Sequence, residues 1–178
     1  MENSGVDNLS LAEWRTLEYI DLSFNKIKYF KKLAMNTTWI NLTQLNLSST
    51  EMDITGAEEL ASNVSWERLK SLNLSHNSIE DNGVDALAKN TSWKNLESLN
   101  LSGNKLNELG AVFLAKNTSW TSLRELIMSQ NAIRDKGMLL LLKNEVWMLK
   151  KIEVIANIVS DKAYKEFLKQ FPQIEIKR

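Results

Sequence analysis

Cysteine is absent from this 178-residue sequence, and histidine and proline occur once each. Without cysteine there are no disulfides, no thiolate metal sites and no cysteine nucleophile, and a reducing compartment fits best. Charge of one sign is missing too: 22 basic and 22 acidic side chains leave a formal net charge of zero. No like-charged run is present that would suit nucleic acid or an anionic membrane, so neither is expected as a partner. Apolar runs stop at five residues, as at Met138 to Leu142, far short of the roughly 18 residues of a membrane span. The N-terminus MENSGVDNLSLAEWR lacks the basic start and apolar run of a secretory signal. The localisation expected is therefore cytoplasmic, or delivery into a host cell without a conventional signal peptide. Nine N-x-S/T matches are read as by-products of repetition, because most of them recur at a fixed spacing.

What is present is periodic. The six tryptophans, Trp14, Trp39, Trp66, Trp93, Trp120 and Trp147, lie 25, 27, 27, 27 and 27 residues apart. After them come WRTLEYIDLSFNKI, WINLTQLNLSSTEM, WERLKSLNLSHNSI, WKNLESLNLSGNKL, WTSLRELIMSQNAI and the shorter WMLKKIEVIANIV. Period-two alternation, as in Leu72-Asn73-Leu74, predicts short strands with leucines on one face. The following asparagine (Asn25, Asn77, Asn104, Asn131, Asn157) is expected to serve the backbone of a buried turn as an asparagine ladder. Thr50 takes its place once, predicting a looser turn. GAEELASN, GVDALAKN, GAVFLAKN and GMLLLLKN then carry the stripe of a helix buried on one side. Their glycine is expected to let the helix start approach the sheet, and their last asparagine to end the helix in the left-handed conformation. The tryptophans read as filler between helix layer and sheet, since a ligand site would need only one or two.

These segments follow the L-x-x-L-x-L-x-x-N-x-L pattern and so resemble leucine-rich repeat proteins, specifically the long-repeat, ribonuclease-inhibitor-like class with a helix in each unit. The resemblance covers roughly residues 14 to 176. It implies an α/β leucine-rich repeat solenoid, a curved parallel sheet inside and helices outside, with about seven strands and six helices. Residues 1–13 form a short N-terminal cap carrying Val6, Leu9 and Leu11. Residues 14–178 hold six repeats plus a terminal strand, in which Phe171, Ile174 and Ile176 replace the leucines. The LAKNTSW units are also similar to repeats of bacteria that live inside eukaryotic cells.

Chemistry is sparse. His76 has neither a second histidine nor a cysteine to work with, so no zinc site or triad can form around it. Glu51, Asp53, Glu80 and Asp81 read as helix-start carboxylates, not as an acid/base pair. No catalytic, cofactor or metal residue is assigned, and no cofactor is expected.

Binding is sought in the variable positions, which the resemblance places on the concave strand face and adjoining turns. Outward strand positions run Tyr19, Gln44, Ser71, Ser98, Glu125, Lys151 and Asp21, Asn46, Asn73, Asn100, Ile127, Glu153. The middle is small and polar, so the candidates are Tyr19 and Phe24 at one end and Arg124, Ile127 and Lys151 at the other. Solvent-facing helix positions turn apolar at Val112, Phe113, Leu139 and Leu140, predicting a convex contact patch and self-association through it. The function read from this pattern is a non-catalytic protein–protein interaction module, a bacterial effector or adaptor. The alternative is the substrate-targeting arm of a larger enzyme such as a ubiquitin ligase or toxin.

Overall fold

A computed structural model describes residues 3–27 and 29–178, the side chains of residues 3 and 4 excepted; residues 1 and 2 of the expected cap lie outside the described set. Seven three-residue strands, β1 (Tyr19–Asp21), β2 (Gln44–Asn46), β3 (Ser71–Asn73), β4 (Ser98–Asn100), β5 (Glu125–Ile127), β6 (Lys151–Glu153) and β7 (Glu175–Lys177), form one sheet in chain order. Every pairing is parallel, and the register sets Tyr19, Gln44, Ser71, Ser98, Glu125, Lys151 and Glu175 side by side. The columns expected from the sequence are therefore real neighbours. Between strands run helices α2 (Lys31–Ala34), α3 (Ile54–Ala61), α4 (Glu80–Ala88), α5 (Glu108–Ala115), α6 (Asp135–Leu142) and α7 (Asp161–Gln170). The architecture is an α/β solenoid.

A further helix, α1 (Asn3–Ser10), precedes β1, so the described residues hold seven helices, not six. It packs against α2: Val6 is buried, Lys32 pairs with Asp7, and Asn36 Nδ2 donates to Ser10 O at 2.7 Å. Leu11, expected to help cover the first repeat, is instead 77% exposed, because it lies in the turn after α1 and not on its packed face.

The core is one continuous cluster built from the inward strand leucines, the helix stripe and the tryptophans. Trp39, Trp66, Trp93 and Trp120 are fully buried and Trp147 nearly so. Trp14 stacks on Trp39, and Trp39 on Trp66, each at 6.4 Å between centroids. Trp14 is 45% exposed because it has a neighbour on one side only.

Two expectations about the helices are corrected. The glycine approaches the neighbouring helix and not the sheet: a Cβ on Gly83 would lie 3.0 Å from the Cβ of Ala57 in α3, and one on Gly137 2.9 Å from that of Ala111 in α5. The closing asparagines are not left-handed; none of Asn36, Asn63, Asn90, Asn117 or Asn144 has positive φ. Their side chains form a second ladder instead. Asn90 Nδ2 donates back to Ala61 O and Asn63 O, while Asn90 Oδ1 accepts the N–H of Ser92 and Trp93. Asn63 and Asn144 repeat the whole arrangement.

The first ladder is as expected in kind. Asn77 Nδ2 donates to Leu47 O and Leu74 O, each at 2.9 Å, and Oδ1 accepts from Thr50 N and Met52 N. Thr50 is no loose point: it is fully buried, its hydroxyl donates to Leu47 O at 2.8 Å, and its carbonyl accepts Ile27 N. A hydroxyl does less than an amide, and the backbone makes up the difference.

Candidate binding surface

The residue before each ladder position is left-handed in all six units: Phe24, Ser49, His76, Gly103, Gln130 and Ala156 have φ between 55° and 62°. The chain must turn sharply there to release the strand into the ladder turn. Only Gly103 meets the requirement without a Cβ penalty; the others accept a cost of about 1 kcal/mol each. This column edges the strand face. Phe24 is 84% exposed on it, and a bulky side chain held in strain without packing is the kind of outlier that points to contact.

Beside it, Tyr19 is 53% exposed, and its hydroxyl donates to Asp21 Oδ2 at 2.9 Å. Asn46 Nδ2 donates to the same oxygen at 3.0 Å, and Ser23 N to Oδ1 at 2.8 Å. Hydrogen bonding from Ser23, then from Tyr19 and Asn46, lowers the Asp21 carboxyl to about 2, and the bond to Asp21 raises the Tyr19 phenol. The first strand and the turn after it thus present two aromatic rings and a fixed negative charge.

The centre of the face is quieter than its composition suggests. Oδ1 of Asn46, Asn73 and Asn100 accepts the N–H of Ser48, Ser75 and Ser102, so these asparagines serve their own turns. At the other end Lys151 is not a free cation. Its ammonium pairs with Glu125 at 2.5 Å, which holds the Glu125 carboxyl below and the Lys151 ammonium above their usual ranges. Ile127 is half-buried in β5, and Arg124 is exposed just before it, its carbonyl accepting Lys150 N and Lys151 N. The structure therefore groups Arg124, Ile127 and Lys151 but neutralises one of the two charges.

The convex patch is less open than expected. Val112, Phe113, Leu139 and Leu140 are all half-buried, Leu139 packs against the core, and the Lys116 ammonium lies 5.6 Å from the centroid of the Phe113 ring. Neighbouring helices stand close enough, through their glycines, to cover these side chains in part.

Sequence reading missed one role of the carboxylates. Asp53 caps its own helix at Gly56 N, as expected, but Asp81 Oδ1 reaches the next unit and accepts Asn107 N and Gly110 N at 2.9 Å. Glu51 and Glu80 are exposed with positive φ. His76 is exposed, and among the described residues no group of three or more His, Cys, Asp or Glu could hold a metal ion. No described helix is long and apolar enough to cross a membrane.

Comparison with curated proteins finds no match. Among solved structures, the chain is similar to leiomodin-1 actin-binding site 2 at 17% identity and a TM-score of 0.51, over 70% of this chain and 78% of that one. The likeness is one of fold. A family model described as "Leucine Rich repeat" matches residues 15–29, 40–61, 69–88, 94–115 and 121–142. Those segments make up more than half of the sequence and keep phase with the tryptophans and the parallel strands, and so the chain belongs to the leucine-rich repeat family.

Proposed function

We propose that this chain is a non-catalytic protein-interaction module whose partner docks on the first strand of the sheet, at Tyr19, Asp21 and Phe24. The observation that carries the reading is Phe24: an aromatic side chain 84% exposed, on a backbone that prefers glycine, next to a second exposed ring. Exposed aromatics lose little conformational entropy on contact and dominate interface energetics. The regular 27-residue spacing and a helix in every unit favour the ribonuclease-inhibitor-like class. The setting of a bacterial effector or adaptor rests on the resemblance of the repeated units alone. What the structural neighbour binds belongs to that neighbour, since 17% identity carries fold and no partner.

The test is affinity capture with the intact chain beside Phe24→Gly and Tyr19→Ser variants. Phe24→Gly relieves backbone strain, so lost capture with an undiminished melting temperature supports the reading. A partner retained by both variants refutes this placement.

A further inference from the structure

The second ladder stops at α6, and a cleft opens where it stops. In five successive turns an asparagine amide donates back to carbonyls of the preceding unit: Asn36 to Ser10 O, Asn63 to Ala34 O, Asn90 to Ala61 O, Asn117 to Ala88 O and Asn144 to Ala115 O. Each asparagine is followed three residues later by a buried tryptophan, whose N–H it accepts. The sixth turn has neither. Eight residues separate α6 from β6, but only four separate α7 from β7, and these are Phe171, Pro172, Gln173 and Ile174. The helix runs straight on to Gln170, leaving no room for the asparagine turn.

The consequence is a cleft of about 760 Å³, within the size range of ligand sites, lined by Leu142, Asn144, Trp147, Leu149, Phe171 and Ile174. Leu142 and Asn144 stand where Ala115 and Asn117 stand one unit earlier, and the carbonyls of that earlier pair both accept Asn144 Nδ2. Gln173 also lines the cleft, but neither its side-chain amide nor any other among the described residues donates to the carbonyls of Leu142 and Asn144. The cleft therefore joins two acceptors, to which no side-chain amide is bonded, to an aromatic wall.

We infer that this cleft binds an Asn-x-x-Trp turn of another polypeptide, the amide donating to the Leu142 and Asn144 carbonyls and the indole lying against Trp147 and Phe171. The occupant follows from the molecule itself, because this is the group that covers the same carbonyls in the units before. A second copy of the chain does not supply it: the amides of all five of its Asn-x-x-Trp turns are already bonded to carbonyls of their own chain, and the turn ending at Trp14 has Leu11 in the asparagine position. The cleft lies between the sixth and seventh units and is independent of the Phe24 surface.

The test uses the intact chain and three blocked synthetic peptides spanning Lys116–Thr121: the natural sequence, one with Asp in place of its asparagine, and one with Ala in place of its tryptophan. Binding is followed by NMR. The expected result is saturable shifts at Leu142, Trp147 and Phe171 with the natural peptide, and at least about tenfold weaker binding of the other two, since a carboxylate meets carbonyl oxygens with no proton to donate. Equal affinity for the Asp peptide, shifts outside the cleft, or no saturable shift overturns the inference. A Phe24→Gly chain should bind the peptides unchanged, which separates this site from the surface proposed above.

Discussion

The side-chain oxygen of Asn77 accepts the backbone N–H of Thr50 from the preceding unit at 3.0 Å, while its amide donates to Leu47 O at 2.9 Å. One side chain thus closes a donor and an acceptor that belong to another repeat. Short three-residue strands contribute few ladder bonds, so the cohesion of adjacent units depends on such contacts. Replacing Asn77 by Ala leaves Thr50 N and Met52 N unpaired in a buried turn, while Leu47 O keeps only the Thr50 hydroxyl. The expected loss is about 3 kcal/mol, the upper part of the range for unsatisfied buried groups. Asn104→Ala, whose Nδ2 reaches Leu74 O and Ser102 O, should lose about 1 to 3 kcal/mol. Equilibrium denaturation checks both; neutral variants would mean that water replaces the amide.

Trp93 is fully buried, and its Nε1 has no hydrogen-bond partner. The carbonyl one unit back, Asn63 O, is already taken by Asn90 Nδ2 at 2.7 Å, whereas Trp120 Nε1 reaches the equivalent Asn90 O at 3.2 Å. Trp93→Ala is expected to cost about 3 to 5 kcal/mol through lost packing. Trp93→Phe should cost well under half of that, since it removes an unpaired N–H together with part of the ring. Urea titration of the two variants decides it. A phenylalanine variant as unstable as the alanine one would show that the smaller ring does not fill the indole's place and that removing the unpaired N–H brings no relief.

Much of this was legible in the sequence for a simple reason: the same physical demand is met six times, so chance matches cancel. The strand columns, the buried tryptophans and the first ladder all follow from period alone. What escaped reading depends on contacts between units. Asn90 could have ended a helix in the left-handed conformation; that it bonds backward to Ala61 O is a fact of three dimensions. Asp81 looked like a cap for its own helix and caps the next one. Of the candidate surface, Tyr19 and Phe24 were readable because nothing in the pattern calls for aromatic rings there. The pairing of Lys151 with Glu125 was not, since it required knowing that the two columns lie in register.

The left-handed column gives a prediction with two signs. Gly103, at φ +62°, should tolerate Ala poorly: the backbone penalty is about 1 kcal/mol, and the new Cβ would lie 2.8 Å from His76 Nδ1. Gln130, at φ +57° and exposed, should gain about 0.5 kcal/mol when replaced by Gly, the relief of strain exceeding the added entropy of the unfolded chain. Thermal melts of the two variants should move in opposite directions. A shared direction would mean that the column is not strained.

Asp21 supplies a pH dependence. Its folded carboxyl lies at about 2, below its unfolded value of 3.8, so the charged form is favoured by folding. That stabilisation is fully present above about pH 4 and is lost as pH falls through about 2. Asn46→Ala removes one of the donors, so the Asp21 midpoint should rise toward 3.8 while remaining below it. NMR titration of the Asp21 side chain reads this directly. An unchanged midpoint would assign the whole shift to Ser23 and Tyr19.

The convex face gives the last prediction. Val112, Phe113, Leu139 and Leu140 interrupt a charged pattern on adjacent helices, but each is half-buried and Lys116 partly covers Phe113. The apolar area free to drive association is therefore smaller than four open side chains would give, and association scales with that area. Self-association through this face should be weak, visible only at high concentration, and strengthened by kosmotropic salt. Replacing Phe113 with Glu and Leu140 with Lys should abolish it while costing stability only modestly, because neither residue belongs to the fully buried core. Leu139 is left in place, since it packs inward. Sedimentation of both chains across a concentration series is the measurement. A wild type that stays monomeric throughout, or a double variant that associates equally, removes this face from consideration and leaves the strand face and the cleft beside α7 as the surfaces available to a partner.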